Sequence, residues 1–196
     1  MRKIFILHGN PHRGKSLTGA LADVYESAAR EVGYAVERLN LSEMQFDPIL
    51  HNGYREIQPL EPDVMRFQQM VRECDHLVLI YPNWWCTMPA LLKGLFDRAW
   101  LPGFAFNMRK GNDGAPVAGW HKLLKGKTAR VIITAGSRPF LIRLVFGDFT
   151  NEIKYGILWF AGFKPKITTF GPADHASART AGRWMKKVQT LGRRGL

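Results

Sequence analysis

Residues 76–103 join a buried strand, an aromatic turn and a helix, and this order limits the folds that are open to the chain. The apolar run at residues 76–80 is typical of a strand buried on both faces. Apolar residues then recur at helical spacing over residues 91–100, and Pro102-Gly103 ends the predicted helix. Between strand and helix lies a turn with two adjacent tryptophans. Because open α/β sheets bind ligands beyond the carboxyl ends of their strands, a flat ligand could stack on this turn.

The same alternation of strand and helix runs through the rest of the chain. Further strands are predicted at residues 4–8, 34–39, 128–134 and 167–170, and further helices at residues 16–32, 62–73, 147–161 and 177–191. This alternation indicates an α/β protein whose parallel sheet carries helices on both faces. Residues 107–126 are rich in glycine and polar residues and are predicted to form a long loop. We find no internal repeat, so residues 1–196 are predicted to form a single domain.

The net charge of +12 is high and points first to nucleic acid or to an anionic membrane surface. The charges are spread along the chain, however, and they cluster only in the last helix, where most would form a solvated face. We therefore expect no nucleic-acid partner. No apolar run approaches the roughly 20 residues of a membrane span, and the apolar run after Met1 is shorter than that of a signal peptide. Cys74 and Cys86 fit no zinc or disulfide pattern, so we expect a cytoplasmic protein without a metal.

Residues 9–16 fit the phosphate-binding pattern G-x-x-x-x-G-K-[ST], and they lie between a predicted strand and a predicted helix. Taken alone, this motif predicts a nucleotide-binding kinase or hydrolase. Such an enzyme also needs a carboxylate for Mg²⁺, usually an Asp at the end of an apolar strand. The candidate strands are followed instead by Tyr81 and Ala135. Backbone N–H groups at a helix start bind any phosphate, so the loop also suits a phosphate-bearing cofactor. Both interpretations remain open at this point.

The stretch from residue 82 to residue 106 carries the pattern P-x-W-W-x-x-M-P-A-x-L-K-G-x-x-D-R followed by P-G-F-A-F. This stretch resembles the flavin-dependent NAD(P)H:quinone oxidoreductases of the flavodoxin-like fold, and weaker similarity extends over residues 3–190. The resemblance implies a flavodoxin-like, three-layer α/β/α fold with a five-stranded parallel sheet of strand order 2-1-3-4-5. It also implies a homodimer whose active site lies at the interface.

The resemblance assigns positions of this chain to flavin binding. His8 matches the histidine that ends the family's first strand, and Ser16 matches the serine that meets the flavin phosphate. Leu17 and Thr18 continue this cofactor-binding segment, and Lys15 is a possible counter-charge. Two turns match those that bind the isoalloxazine ring. The first consists of Pro82, Asn83, Trp84 and Trp85, and the second of Thr134, Ala135, Gly136 and Ser137. Phe104 and Phe106 would form a wall of the substrate pocket.

The implied activity is a ping-pong transfer of two electrons. NAD(P)H would pass a hydride to N5 of FMN or FAD, and a quinone or a similar small acceptor would then be reduced. FMN is preferred, because the sequence offers no distinct adenine site. Family members carry a Tyr and a His after the second ring-binding turn, and the aligned positions here are Phe140 and Phe146. A phenyl ring cannot donate a proton, so the catalytic side chain is unknown. A third hypothesis is a regulatory subunit of a membrane transport system, because some relatives serve potassium efflux.

Overall fold

A computed structural model describes residues 1–56, 58–111 and 114–196 of the chain. Its main sheet consists of five parallel strands in the order β2-β1-β3-β6-β7. The strands are β1 (Lys3–His8), β2 (Ala35–Asn40), β3 (His76–Asn83), β6 (Thr128–Ala135) and β7 (Lys164–Phe170). This order confirms the predicted 2-1-3-4-5 arrangement, because β6 and β7 are the fourth and fifth strands of the sheet.

Helices cover both faces of this sheet. They are α1 (Leu17–Glu31), α2 (Pro62–Glu73), α3 (Ala90–Ala99), α4 (Pro139–Phe146) and α5 (Ala178–Arg194), together with a 3₁₀ turn at Leu41–Glu43 and a π-helix at Glu152–Trp159. One hydrophobic core joins the sheet to α2, α3 and the π-helix, and a second core joins it to α1 and α5. The three layers of the flavodoxin-like fold are thereby confirmed. In the described ranges no helix combines the length and the apolarity that crossing a membrane requires.

Strand β1 shows why the sequence produces two cores. Successive side chains of a strand point to opposite faces, so Phe5 and Leu7 enter the core of α2 and α3, whereas Ile4 and Ile6 enter that of α1 and α5. A strand that is apolar at every position can therefore lie only inside the sheet. The run at residues 76–80 has the same character, and β1 and β3 are neighbours in the interior of the sheet.

The prediction of a long loop at residues 107–126 is wrong. Strands β4 (Phe106–Lys110) and β5 (Pro116–Lys122) form an antiparallel hairpin there. Trp120 fixes the hairpin to the body of the protein, because its ring stacks on Phe160 at 4.5 Å and its indole N–H donates to the Phe160 carbonyl. The polar composition of the segment concealed two short strands whose stability depends on this contact.

The region after β6 also differs from the prediction. A helix was expected within residues 147–161, where the π-helix lies, but α4 at Pro139–Phe146 was not predicted. Pro139 occupies the first turn of α4, where its fixed φ angle and missing N–H suit the start of a helix. Seven apolar side chains in eight positions also leave α4 without the polar face that marks an amphipathic helix.

Arg98 of α3 holds the long connection between β2 and α2 against the body of the protein. Its side chain is only 1% exposed, and its guanidinium donates to the carbonyls of Asp47 and Pro59 and forms a salt bridge of 2.9 Å with Glu61. The connection also passes so close to α3 that a Cβ at Gly94 would lie 2.6 Å from the Pro48 carbonyl oxygen. Burial alone raises the pKa of the Glu61 carboxyl, but hydrogen bonds, among them the one from Arg98, lower it overall.

We expect Arg98→Ala to lower the free energy of unfolding by about 3 kcal/mol or more, because the buried carbonyls and Glu61 lose their partner. Lys93→Ala on the same helix removes an exposed pair with Asp97 and should lower it by less than about 1 kcal/mol. Urea denaturation of both variants provides the measurement. The stabilisation that the Glu61 carboxylate adds to the free energy of unfolding should be fully present above the ordinary glutamate pKa. It should be lost as the pH falls through the lowered pKa of Glu61 in the folded protein. Equal losses in the two variants would contradict this account.

Candidate functional site

Two cavities open at the carboxyl ends of the parallel strands. The first, called here the tryptophan pocket, has a volume of about 540 Å³ and is lined by Pro82, Asn83, Trp84, Trp85, Thr134, Ala135, Gly136, Ala173 and Asp174. The second, called here the loop pocket, has a volume of about 420 Å³ and is lined by His8, His12, Arg13, Gly14, Lys15, Ser16, Gly19, Ala20, Asp23, Arg38, Asn40, Ser42 and Glu43. Both lie at the edge of the sheet where α/β proteins bind ligands.

The register between β3 and β6 brings the two predicted ring-binding turns together. Pro82 pairs with Thr134 and Asn83 with Ala135, so both strands end side by side at the tryptophan pocket. Seven of the eight residues predicted in these turns line the pocket. The eighth, Ser137, lies beside it, where its carbonyl faces Gly171. The pocket therefore has two walls built from segments about 50 residues apart in the chain.

The turn that carries the tryptophans has an uncommon backbone. Trp84 and Thr87 exchange two backbone hydrogen bonds of 2.9 and 3.0 Å, and the two residues between them, Trp85 and Cys86, have positive φ angles of 51° and 63°. Two successive left-handed residues form a tight hairpin turn that favours glycine or asparagine, so these side chains are held there against a conformational cost. The turn exposes 99% of the Trp85 side chain and 46% of Trp84. Neither indole is shut inside the core.

A segment that the sequence did not identify closes the other side of the pocket. After β7, the Ala173 N–H donates to the Ala135 carbonyl at 2.8 Å, and Gly171 packs so closely that a Cβ there would lie 2.3 Å from the Ser137 carbonyl oxygen. A Cβ at Gly136 would lie 2.7 Å from the Asp174 carboxylate. Their position in the sequence could have identified these residues, because they directly follow a strand of the parallel sheet and therefore lie at the same edge as the two turns.

The tryptophan pocket offers polar atoms to a ligand. Oδ1 of Asn83 is buried and has no hydrogen-bond partner in the described ranges. The Asp174 carboxylate lines the pocket, and no hydrogen bond or ion pair to it is found in the same ranges. Because the Asn83 oxygen is closed to solvent, the Asp174 carboxylate is a polar group that this wall does present to a ligand.

A hydrogen-bonded cluster shapes the loop pocket. Ser16 caps α1 by accepting the Gly19 N–H at 3.1 Å, and the Thr18 hydroxyl contacts His8 and Asn10 at 3.0 Å each. Burial, together with the charge of Arg38, lowers the pKa of His8, which favours the neutral imidazole. The loop thus presents the N-terminus of a 15-residue helix, whose free N–H groups and dipole attract phosphate.

The predicted phosphate-binding residues divide into two groups. His8, Lys15 and Ser16 line the loop pocket. Thr18 is buried beneath the loop, and Leu17 packs against the second core, so neither of them lines that pocket. Sequence spacing could not distinguish them, because consecutive residues at a helix start point in different directions.

The surroundings of the loop also bear on the hypothesis that the protein is a nucleotide-binding kinase or hydrolase. Arg38 pairs with Asp23 at 2.6 Å, so one acidic group of the loop pocket already has a cation. Asp75 lies at the opposite end of the sheet, where it accepts the Lys3 N–H. Across residues 1–56, 58–111 and 114–196, no group of three or more His, Cys, Asp or Glu side chains is arranged to hold a metal ion. Strand β3 ends in Asn83 and β6 in Ala135, so neither strand ends in the Asp that usually holds Mg²⁺ in a P-loop enzyme.

The predicted substrate-pocket residues do not line the tryptophan pocket. Phe104 is buried in the core, where it packs edge-on against Trp100 at 5.6 Å and beneath the Arg72 guanidinium. Phe106 is half-buried at the start of β4, in contact with the Phe160 ring. Phe140 and Phe146 lie at the two ends of α4, and each is 71% exposed.

Comparison with known proteins places this geometry in a family. A family model described as having a flavodoxin-like fold matches residues 2–188. An uncharacterized NAD(P)H oxidoreductase of Haemophilus influenzae is 32% identical over 137 residues, which cover 67% of this chain and 63% of that protein. The match therefore spans less than two thirds of that relative's length.

Solved structures agree with this placement. The NAD(P)H:quinone oxidoreductase from Methanothermobacter marburgensis is 26% identical and superposes with a TM-score of 0.79, over 98% of this chain and 96% of that one. An FMN-dependent NADH-azoreductase from Bacillus anthracis in complex with FMN superposes with a TM-score of 0.65 at 16% identity, over 99% of each chain. At this identity the likeness is one of fold.

We expect Gly171→Ala to destabilise the protein by roughly 1–3 kcal/mol, because its Cβ would meet two backbone carbonyls that cannot retreat without opening the pocket. The matched control is Gly182→Ala in α5, where a Cβ meets nothing within 4 Å and should be neutral or stabilising by up to about 1 kcal/mol. Thermal denaturation measures both effects. If the two variants melt together, the contact between Gly171 and the turn after β6 does not support the pocket.

Proposed function

The chain belongs to the family with the flavodoxin-like fold that matches residues 2–188, and from this premise we propose that it is a flavin-dependent NAD(P)H oxidoreductase. It would carry two electrons from NAD(P)H through FMN to a quinone or a similar small acceptor. The observation that carries the proposal is the pairing of Asn83 with Ala135, which joins both ring-binding turns in one pocket beneath two exposed indoles. Residues 1–196 would act as one domain.

The residues of the two pockets fit a flavin. The flat tricyclic ring would lie in the tryptophan pocket, between the turn that carries Trp84 and Trp85 and the turn that contains Gly136. The phosphate would bind at the loop pocket, where Ser16, the first N–H groups of α1 and the Lys15 ammonium converge. When bound, a flavin supplies reversible two-electron chemistry that no side chain performs. The chain itself would bind and orient the ring through the residues that line the two pockets.

FMN is favoured over FAD. A single phosphate suffices for one helix N-terminus, and a protein of the same fold from Bacillus anthracis holds FMN. A quinone is the acceptor named for the relative from Methanothermobacter marburgensis. Phe140 and Phe146 cannot supply the proton that a quinone takes up, so that proton would come from water or from a group at the pocket.

The chain would act as a homodimer in a reducing compartment. The hairpin of β4 and β5 projects Met108 and Val117, each about half exposed, and would provide one of the contacts between subunits. Cys74 is buried, Cys86 is partly exposed, and both are free thiols, which fits a cytoplasmic protein. Light scattering would report the dimer.

The decisive experiment is cofactor identification. The purified protein should be yellow, heating should release FMN as identified by its mass, and the bound flavin should bleach on addition of NADH or NADPH without air. Steady-state rates with both nicotinamides against quinones, azo dyes, nitro compounds and chromate would then define the acceptor. A colourless protein that takes up neither FMN nor FAD would refute the proposal.

The second candidate function is a P-loop kinase or hydrolase, which is favoured only by the motif at residues 9–16. We expect Lys15→Ala to weaken FMN binding by about tenfold, because it removes one exposed counter-charge and leaves the helix N-terminus in place. Lys186→Ala on α5 should leave binding unchanged. Fluorescence titration with FMN measures both, and ATP with Mg²⁺ should not shift the melting temperature. A shift with ATP that is lost in Lys15→Ala would favour the kinase.

The third candidate, a regulatory subunit of a membrane transport system, is supported by the basic surface alone. Recovery of the protein with membranes, in the absence of detectable NAD(P)H turnover, would favour it. Turnover by the purified protein would assign an enzymatic role that needs no partner.

Asp174 should tune the reduction potential of the bound flavin. Its carboxylate lines the tryptophan pocket, and a negative charge there opposes the uptake of electrons. We expect Asp174→Asn to raise the two-electron midpoint potential by roughly 20–40 mV, from a charge interaction of about 1–2 kcal/mol. Asp97→Asn on α3 is the control and should leave the potential unchanged. Anaerobic titration against reference dyes provides the measurement, and a lowered or unchanged potential in Asp174→Asn would contradict this role.

A further inference from the structure

The excess positive charge of this chain is confined to residues 114–196. This part of the sequence contains 15 Lys and Arg but only three Asp and Glu, so the whole net charge of +12 lies in it. It includes α5 and the two strands at one edge of the sheet, β6 and β7. Such an asymmetry of charge along a chain indicates an anionic partner for the basic part.

Three cations lie side by side on the amino half of β6 and β7. Arg130 is the register partner of Lys166, so their Cα atoms lie about 5 Å apart on neighbouring strands. Lys164 lies two positions before Lys166 and therefore points to the same face, about 7 Å away. Arg130 donates to the Thr168 hydroxyl at 3.3 Å, and Phe170, two positions further on, packs in the second core. The three cations thus share the face that α1 and α5 cover, and their charges repel one another.

The charges of this cluster are not compensated by carboxylates. Within residues 1–56, 58–111 and 114–196, none of the ion pairs involves Arg130, Lys164 or Lys166. The two lysines are exposed, whereas Arg130 is only 9% exposed. Burial, aided by the charges of Arg2 and Arg130, lowers the pKa of His76 to about 3, so this nearby ring is neutral at pH 7. A nearly buried cation without a counter-ion is unfavourable, and a bound anion would supply that counter-ion.

Helix α5 adds further cations beside the cluster. Lys187 lies over the Phe170 ring at 5.7 Å, whereas Arg193 pairs with Glu31 of α1, so the Lys187 side of the helix faces β7. At about 100° per residue, Arg194 lies within about 20° of Lys187 around the helix. Neither β7 nor α5 contains an Asp or a Glu. The angle between the sheet and α5, called here the basic corner, therefore carries cations on two sides. They are Arg130, Lys164, Lys166, Lys187 and Arg194.

We propose that the basic corner binds a small anion that carries one or two phosphoryl groups. Arginine forms paired hydrogen bonds with phosphate and lysines add point charges, so adjacent cations of both kinds match a group with two or more negative charges. Arg130 is recessed below the exposed lysines, where a terminal phosphoryl group fits, whereas a nucleic acid requires a broad exposed surface. The basic corner lies towards the amino ends of the strands, so this site is separate from the two pockets at their carboxyl ends.

Thermal denaturation of the flavin-loaded protein with inorganic pyrophosphate, in a buffer free of phosphate and of divalent cations, tests the site. We expect the melting temperature to rise by about 3 °C or more at about ten times the dissociation constant. Sodium chloride at the same ionic strength should not reproduce the rise. Lys166→Gln should weaken pyrophosphate binding at least about tenfold, because it removes an adjacent charge. Without pyrophosphate, this variant should melt no lower than the wild type, because it relieves the repulsion of Arg130.

Two further variants serve as controls. Lys186→Gln removes an exposed charge of α5 that lies about 100° from Lys187, and it should leave pyrophosphate binding unchanged. Lys15→Ala in the loop pocket should also retain this binding, which separates the basic corner from the proposed site of the flavin phosphate. If the chain takes up no flavin, Lys166→Gln can be compared in the Lys15→Ala background. Failure of the proposed function would therefore leave this test intact.

Four results would overturn the proposal. They are no rise in melting temperature with pyrophosphate, an equal rise in the wild type and in Lys166→Gln, an equal rise with sodium chloride, and tighter binding of a single-stranded oligonucleotide than of pyrophosphate. The last result would assign the basic corner to nucleic acid. A rise that Lys166→Gln loses and Lys186→Gln keeps would support a phosphate site between β7 and α5.

Discussion

The parallel pairing of β3 with β6 is the constraint on which the rest of this structure depends. Both strands are buried on two faces, so a shift of one residue would exchange the two cores and is excluded by packing. The register is therefore fixed by apolar side chains far from any ligand. This register determines what happens at the carboxyl ends of β3 and β6. It holds Asn83 beside Ala135, so two turns that are distant in sequence line one pocket.

The pocket is then closed by backbone rather than by side chains. The Ala173 N–H meets the Ala135 carbonyl, and Gly171 fits against Ser137 only because it lacks a Cβ. The tight turn with left-handed Trp85 and Cys86 forms the opposite wall. Walls of this kind leave polar backbone and few reactive groups facing the ligand. They suit a site in which a cofactor performs the chemistry and the protein supplies orientation and potential.

The elements predicted correctly from sequence are those with a clear apolar pattern. The strands of the parallel sheet and helices α1, α2, α3 and α5 were predicted within a few residues, because apolar runs or regular helical spacing determine them. The hairpin of β4 and β5 was missed because its stability comes from a contact between Trp120 and Phe160 that is remote in sequence. Helix α4 was missed because a helix that is apolar on almost every side has no periodicity to detect.

Some features of the candidate site could likewise be predicted from the sequence, and others could not. The lining of the tryptophan pocket by residues of both predicted turns follows from strand ends that sequence can locate. Asp174 and Ala173 were not predicted, because the resemblance assigned no ligand contact to the segment after the last strand, although the predicted strand order placed that strand beside the fourth. The resemblance places Phe104 in the substrate pocket, and in the structure its ring packs against Trp100 in the core. A family motif fixes the path of the backbone, whereas the direction of each side chain is set by packing that the motif does not contain.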